Sequence, residues 1–340
     1  MPDLPITAVP TNIITGFLGV GKTTAITHLL ARKPKGERWA ILVNEFGEIG
    51  VDGSLFQGSH GEGSGIFVRE VPGGCMCCTA GLPMQIALNQ LLARARPDRL
   101  LIEPTGLGHP LEVLQSLSAE HYRDVLDIQR TVTLVDARKL ADRRYTAHDT
   151  FNQQIAMADV VVGNKQDLYG PGDEDRLRAY VRERCASGTE LMLTRQGALE
   201  LQWLEGNTAA LPSGPHHFHG APQDRGTTQP DVLDGIARAT NEGEGYQSVG
   251  WRFDATHTFD QGRLFALLSG LEAERMKAVF MTRTGVFGYN LTPDGLTEIP
   301  LDDCLESRIE IIAPQVDPDW EARLLHCLAE APVSGNRSQD

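Results

Sequence analysis

The chain has 340 residues, is 41% hydrophobic and carries a net charge of −14, from 31 Lys and Arg against 45 Asp and Glu. That length and hydrophobic share suffice for one large domain and a smaller one, each with a core, and they set intrinsic disorder aside. The acidic balance, with no concentrated basic patch, argues against nucleic acid or an anionic membrane surface as partner.

The opening MPDLPITAVP lacks the basic residues and apolar run of a signal peptide, and nowhere do about 18 apolar residues run together, so a soluble cytoplasmic protein is expected. Short apolar runs then alternate with amphipathic stretches. NIIT, WAILVN, DRLLIE, RTVTLVD, DVVVGN and ELMLT read as buried strands, and TTAITHLLARK and PMQIALNQLLARAR read as helices. The alternation predicts an α/β fold, a mostly parallel sheet with helices on both faces, over residues 11–204. Residues 205–245, rich in Gly, Pro, Thr and Asn, read as a linker with a short helix in VLDGIARA. SVGWRFDA, a helix near 261–271, MKAVFMT, SRIEIIA and a last helix near 320–329 predict a smaller α+β domain over 246–330.

Residues 16–23, GFLGVGKT, match the phosphate-loop pattern G-x-x-x-x-G-K-[ST], with a strand before and a helix after. Gly16, Gly19, Val20 and Gly21 would turn backbone N–H groups toward phosphates, and the helix adds its N-terminal dipole. Lys22 would meet the β and γ phosphates, Thr23 would hold Mg²⁺ through its hydroxyl, and Thr24 would line the pocket. Glu103, at the end of DRLLIE, stands where an acidic side chain contacts Mg²⁺ or the attacking water, and Gly106 could bring its N–H to the γ-phosphate. Lys22, Thr23 and Glu103 are therefore the expected catalytic residues. After DVVVG comes Asn164-Lys165-Gln166-Asp167. A carboxylate at Asp167 accepts from both N1–H and the exocyclic amine of guanine, a pair that adenine does not offer, which favours GTP as substrate. An ATPase or kinase, with this N-K-x-D run accidental, stays as an alternative.

In GGCMCCTAG, residues 73–81, Cys75, Cys77 and Cys78 crowd half of the chain's six cysteines onto one turn. Gly73 and Gly74 allow a sharp turn, and the spacing lets the thiolates reach a single soft ion such as Zn²⁺. Three ligands leave a tetrahedral ion one position short, as suits a protein that hands its metal on. A Cys75–Cys78 redox pair and a structural zinc with a fourth ligand elsewhere remain alternatives. Cys185, Cys304 and Cys327 are scattered and read as core or surface residues.

TNIITGFLGVGKTT, VNEFGEIGVDG, PGGCMCCTAGLPMQ, RLLIEPTGLGHP and NKQD, in that order, resemble the CobW family of metal-handling P-loop GTPases, and within it the bacterial YeiR-type zinc-binding branch. The resemblance covers residues 11–204, more weakly 246–330, and leaves the linker unmatched. It implies a GTPase that loads Zn²⁺ into a client metalloprotein under control of nucleotide state, with Cys75, Cys77 and Cys78 at the family's C-x-C-C position. It also places Glu45, Glu48 and Asp52 in a segment of metal-serving carboxylates, Glu48 as an auxiliary zinc ligand and Asp52 as a magnesium contact. Val43 stands where some relatives carry a further Glu. Arg275-Met276-Lys277-Ala278 departs from the family's Arg-x-Lys-Gly, a change expected to leave the chemistry untouched. His216, His217 and His219 in PHHFHG are either a small metal-gathering cluster or solvated linker residues, and His60 and His109 are given no role. The smaller domain, without a catalytic constellation of its own, is expected to recognise the client. A GTP-binding zinc sensor or buffer with little turnover, and delivery of cobalt or iron, are the competing functions. A homo-oligomer is compatible with the sequence.

Overall fold

The computed structural model describes residues 5–43, 64–71, 82–209, 231–233, 235–243, 245–301, 304 and 306–329. The first sheet is built from β1 (Val9–Gly16), β2 (Trp39–Val43), β3 (Ile66–Glu70), β4 (Arg99–Glu103), β5 (Leu126–Ile128), β6 (Val132–Asp136), β7 (Val160–Asn164) and β8 (Glu190–Leu193). Its order is β3-β2-β4-β1-β6-β7-β8, with β5 also on β1, and every pairing is parallel. Strands β2, β6 and β7 are buried at every position, which is why they read as continuous apolar runs rather than alternating ones. Neighbouring residues serve opposite faces. Ile13, Leu42 and Ile102 pack under α2 (Leu82–Ala95) and α3 (Pro110–Leu117), while Ile14, Ile41 and Leu101 pack under α1 (Lys22–Ala31). Beyond α3 come α4 (Arg143–Thr146), α5 (Asp149–Ala156) and α6 (Asp173–Arg184).

The chain order reverses at β1, which has β4 on one side and β6 on the other. Loops after neighbouring strands part there, opening the crevice in which α/β sheets bind ligands. The loop after β1 is the phosphate loop.

The second sheet is antiparallel, in the order β14-β13-β12-β15-β11-β10-β9. Its strands are β9 (Asp231–Leu233), β10 (Ile236–Gly243), β11 (Tyr246–Phe253), β12 (Arg275–Thr282), β13 (Gly285–Thr292), β14 (Gly295–Leu301) and β15 (Ser307–Ala313). Helices α7 (Gln261–Ser269) and α8 (Trp320–Leu325) cover one face over Trp251, Phe253, Met276, Phe280 and Ile311. The helix expected in VLDGIARA is not formed. Residues 231–233 and 236–243 are strands instead, with β10 paired to β9 and, along its whole length, to β11, and Gly235 precedes β10 at φ +77°. No helix among the described residues is long and apolar enough to cross a membrane.

Candidate nucleotide site

Gly16 ends β1 at φ +142°, and a Cβ there would lie 2.5 Å from Leu134 O, so only glycine lets the loop leave the sheet at this point. Gly21 caps α1 in the left-handed conformation at φ +100°, with no side-chain hydrogen bond to the helix N-terminus. Gly21 has no side chain to cap the helix, so the N-terminus of α1 follows the loop directly, the arrangement that receives phosphate. Lys22 is buried, and its Nζ donates to Gly16 O at 2.8 Å and Phe17 O at 3.4 Å, so the loop closes on its own lysine. Burial drives the Lys22 ammonium down toward neutrality, with Arg275 adding to the push and Glu103 opposing it.

Thr23 Oγ1 donates to Glu103 Oε1 at 3.0 Å, joining the start of α1 to the end of β4. A hydroxyl and a carboxylate in contact beside a phosphate loop are the oxygen donors that Mg²⁺ takes, and both residues fit that ion. Gly106 lies against the loop, where a Cβ would come within 2.9 Å of Leu18 N. Its carbonyl accepts from Gln154 Nε2 at 3.0 Å, which fixes the turn after Glu103. Thr24 is exposed beside Gly197.

Asn164 ties two loops together: its Nδ2 donates to Val20 O at 2.9 Å, and its Oδ1 accepts from Gly197 N–H at 3.0 Å. Lys165 follows in the left-handed conformation, and Asp167 is exposed. Buried Asp136, at the end of β6, holds Arg138 through two side-chain bonds of 2.9 and 2.6 Å.

The structure adds residues from the second domain. Lys277 Nζ donates to Thr23 Oγ1 at 2.6 Å, Thr292 lies beside Gly19, and Asp294 pairs with both Lys165 and Arg138. Tyr145 donates to buried Glu274, and Phe17 and Leu18 share one apolar cluster with Tyr246 and Ile312. Arg275-Met276-Lys277-Ala278 departs from Arg-x-Lys-Gly at Ala278, which is buried in the helix-covered core of the second sheet. Arg275 and Lys277 are on the opposite strand face, turned to the phosphate loop, and Lys277 touches Thr23. Alternation along MKAVFMT was the available signal, because it puts Arg275 and Lys277 opposite the apolar face.

Cys75, Cys77, Cys78, Glu45, Glu48, Asp52, His60, His216, His217 and His219 lie outside the described residues. Among the described residues there is no group of three or more His, Cys, Asp or Glu placed to hold a metal. Cys185 donates to Ile155 O and Cys327, which is buried, to Arg323 O, and burial pushes both thiols up, as suits packing residues.

The model of the CobW/HypB/UreG nucleotide-binding domain matches residues 10–189. The chain is 40% identical over 319 residues to the zinc chaperone YeiR of Escherichia coli, covering 92% of this chain and 95% of that one. It is 30% identical over 248 residues to the zinc chaperone CobW of Pseudomonas aeruginosa, covering 65% of each. The solved Zn(II)-bound YjiA GTPase of E. coli aligns over 94% of the chain at 18% identity with a TM-score of 0.43, too loose a match for residue comparison. On the domain match and the full-length similarity, the chain belongs to the CobW/HypB/UreG family of nucleotide-binding proteins.

Proposed function

We propose that this chain is a GTP-hydrolysing zinc metallochaperone, acting in the cytoplasm, that binds Zn²⁺ at Cys75, Cys77 and Cys78 and passes it to a client protein as nucleotide state changes. The observation that carries the reading is the Thr23–Glu103 contact beside buried Lys22, at the switch point of a parallel sheet. The relatives named as zinc chaperones, one matched along nearly its whole length, support the metal half of it.

In this reading Lys22 and the α1 N-terminus bind the phosphates, and Asp167 selects guanine. Thr23 and Glu103 hold Mg²⁺, which when bound neutralises charge on the phosphates. Zinc is cargo. Three thiolates leave one tetrahedral position for a client's ligand. Glu48 is assigned as an auxiliary zinc ligand and Asp52 as a magnesium contact. Coupling is supported by connectivity: β2 and β3 end at Val43 and Glu70, with Val43 opposite Glu103 and Glu70 in register. The segments carrying the carboxylates and the cysteines follow those two ends directly. The GTPase domain is taken as residues 11–204, and the second domain as beginning with β9, earlier than residue 246.

Turnover of GTP and ATP by the purified protein, with and without zinc, tests this. GTP hydrolysis that responds to zinc, is absent with ATP, and is lost in Lys22→Ala and Glu103→Gln is the expected result. Tight GTP binding with no turnover in any condition would replace the chaperone by a GTP-binding zinc sensor or buffer.

A further inference from the structure

The two faces of the second sheet differ in kind. Along β12, Met276, Ala278 and Phe280 enter the helix-covered core, while Arg275 and Lys277 take the other face and are themselves buried. On β15 the same alternation puts Ile309 and Ile311 in the core and leaves Arg308, Glu310 and Ile312 opposite, with Lys277 directly across from Glu310. This second face meets the phosphate loop. Ile312 packs with Phe17 and Leu18, Arg308 reaches Glu70 at 3.7 Å, and a Cβ on Gly19 would meet Thr292 at 3.7 Å.

The Thr23 hydroxyl gives its proton to Glu103 and accepts from the Lys277 ammonium at 2.6 Å. When a phosphate-loop Thr binds Mg²⁺, the hydroxyl oxygen offers the ion a lone pair. Here Lys277 already takes an oxygen lone pair. A unit positive charge therefore sits against Thr23 Oγ1, which is itself bonded to Glu103, and these are the two oxygen donors that a divalent ion would use.

We propose that Lys277 is a built-in stand-in for magnesium, which holds the Thr23–Glu103 cation position until Mg²⁺ and nucleotide arrive together and displace it. Resting on the nucleotide-site reading above, this makes the second domain a gate. Without polyphosphate, the ammonium is held by Thr23, on a strand position directly across from Glu310. A bound triphosphate adds several negative charges to the loop, and a divalent ion gains more from them than an ammonium does. Mg²⁺ then takes the hydroxyl, Lys277 leaves it, and the face of the second sheet loses a contact with the loop. Metal and nucleotide loading are thereby coupled to domain separation.

Fluorescent GDP binding, titrated with Mg²⁺ from an EDTA baseline, tests the proposal in the full-length protein, in Lys277→Met and in Lys277→Gln. Both variants should reach half-maximal magnesium response at a severalfold lower Mg²⁺ concentration, because the competitor is gone. An unchanged or higher Mg²⁺ requirement with GDP still bound overturns the proposal and leaves the nucleotide site standing. No GDP binding in any of the three proteins removes the site itself. A second readout uses only the natural chain and does not depend on the variants folding. Acylation of Lys277 by an amine-reactive ester should rise severalfold when Mg²⁺ and a non-hydrolysable GTP analogue are bound, and unchanged protection in that complex contradicts the gate.

Discussion

Asn164 Nδ2 donates to Val20 O at 2.9 Å, so the strand end that leads into the Asn164–Asp167 run is bonded to the phosphate loop. Because Asn164 Oδ1 also receives the Gly197 N–H, one buried amide holds three segments of the crevice in register.

Asn164→Ala leaves both of those backbone groups without their partner, at about 1–3 kcal/mol for each buried group. GDP affinity should fall roughly tenfold or more, with a lower melting temperature. Calorimetric titration and thermal unfolding check this, and an unchanged affinity would mean that the tie does not shape the site.

Gly106→Ala tests the fit of the Glu103 turn against the loop. The new Cβ would lie 2.8 Å from Leu18 Cδ2 and 2.9 Å from Leu18 N, so the phosphate loop has to shift, at about 1–3 kcal/mol. Nucleotide affinity should drop with stability. Gly188→Ala, where nothing lies within 4 Å, is the control and should change neither.

Lys22 predicts a proton exchange. Burial brings its pKa from 10.5 to about 7 in the nucleotide-free chain, Glu103 opposing and Arg275 assisting. Phosphate oxygens against Nζ favour the charged form and raise that value. Binding at about pH 8.5 should therefore take up a proton, and affinity should weaken as pH rises above about 7. For the nucleotide-free fold the same shift acts in the other direction on stability. The unfolded lysine holds a proton that the folded one has lost, so this group makes stability rise between about pH 7 and 10.5. Calorimetry in two buffers of different ionisation enthalpy reads the proton, and no uptake would contradict the assignment.

Asp294→Asn removes the carboxylate that pairs with Lys165 and Arg138. Burial alone would raise that carboxyl, but the bonds to Arg138 and Lys165 outweigh it and hold it down at about 2. The pairs therefore persist at neutral pH and fail only as pH falls through that low value. In the variant the hairpin tip is held less tightly over Gly19, and stopped-flow association of fluorescent GDP should be severalfold faster. An unchanged rate would show that the hairpin does not restrict entry.

The phosphate loop, Glu103 and Asn164 were legible because each depends on local rules: glycine where φ is positive, a carboxylate at the tip of β4, an amide at the end of β7. Strands β3, β13 and β14 were not read. IFVRE is short and takes its place from β2, while β13 and β14 are hairpin strands whose own pattern is weak, GVFGYNLT broken by Gly288 and GLTEIPL mostly exposed. β10 was missed because ARATNEG is polar and VLDGIARA was taken as a short helix within a linker. Lys277 was invisible as a site residue for a different reason. Its meeting with Thr23 spans 254 positions, and only the docking of two sheets brings them together.

Zinc affinity, measured against a chromogenic chelator in GDP–Mg²⁺ and again in Mg²⁺ with a non-hydrolysable GTP analogue, tests the metallochaperone reading most directly, with Cys75, Cys77 and Cys78 replaced by Ser as control. One thiolate-dependent zinc whose affinity differs severalfold or more between the two nucleotide states is the expected result. Equal affinity in both states, or full zinc binding in the triple-Ser control, would contradict it.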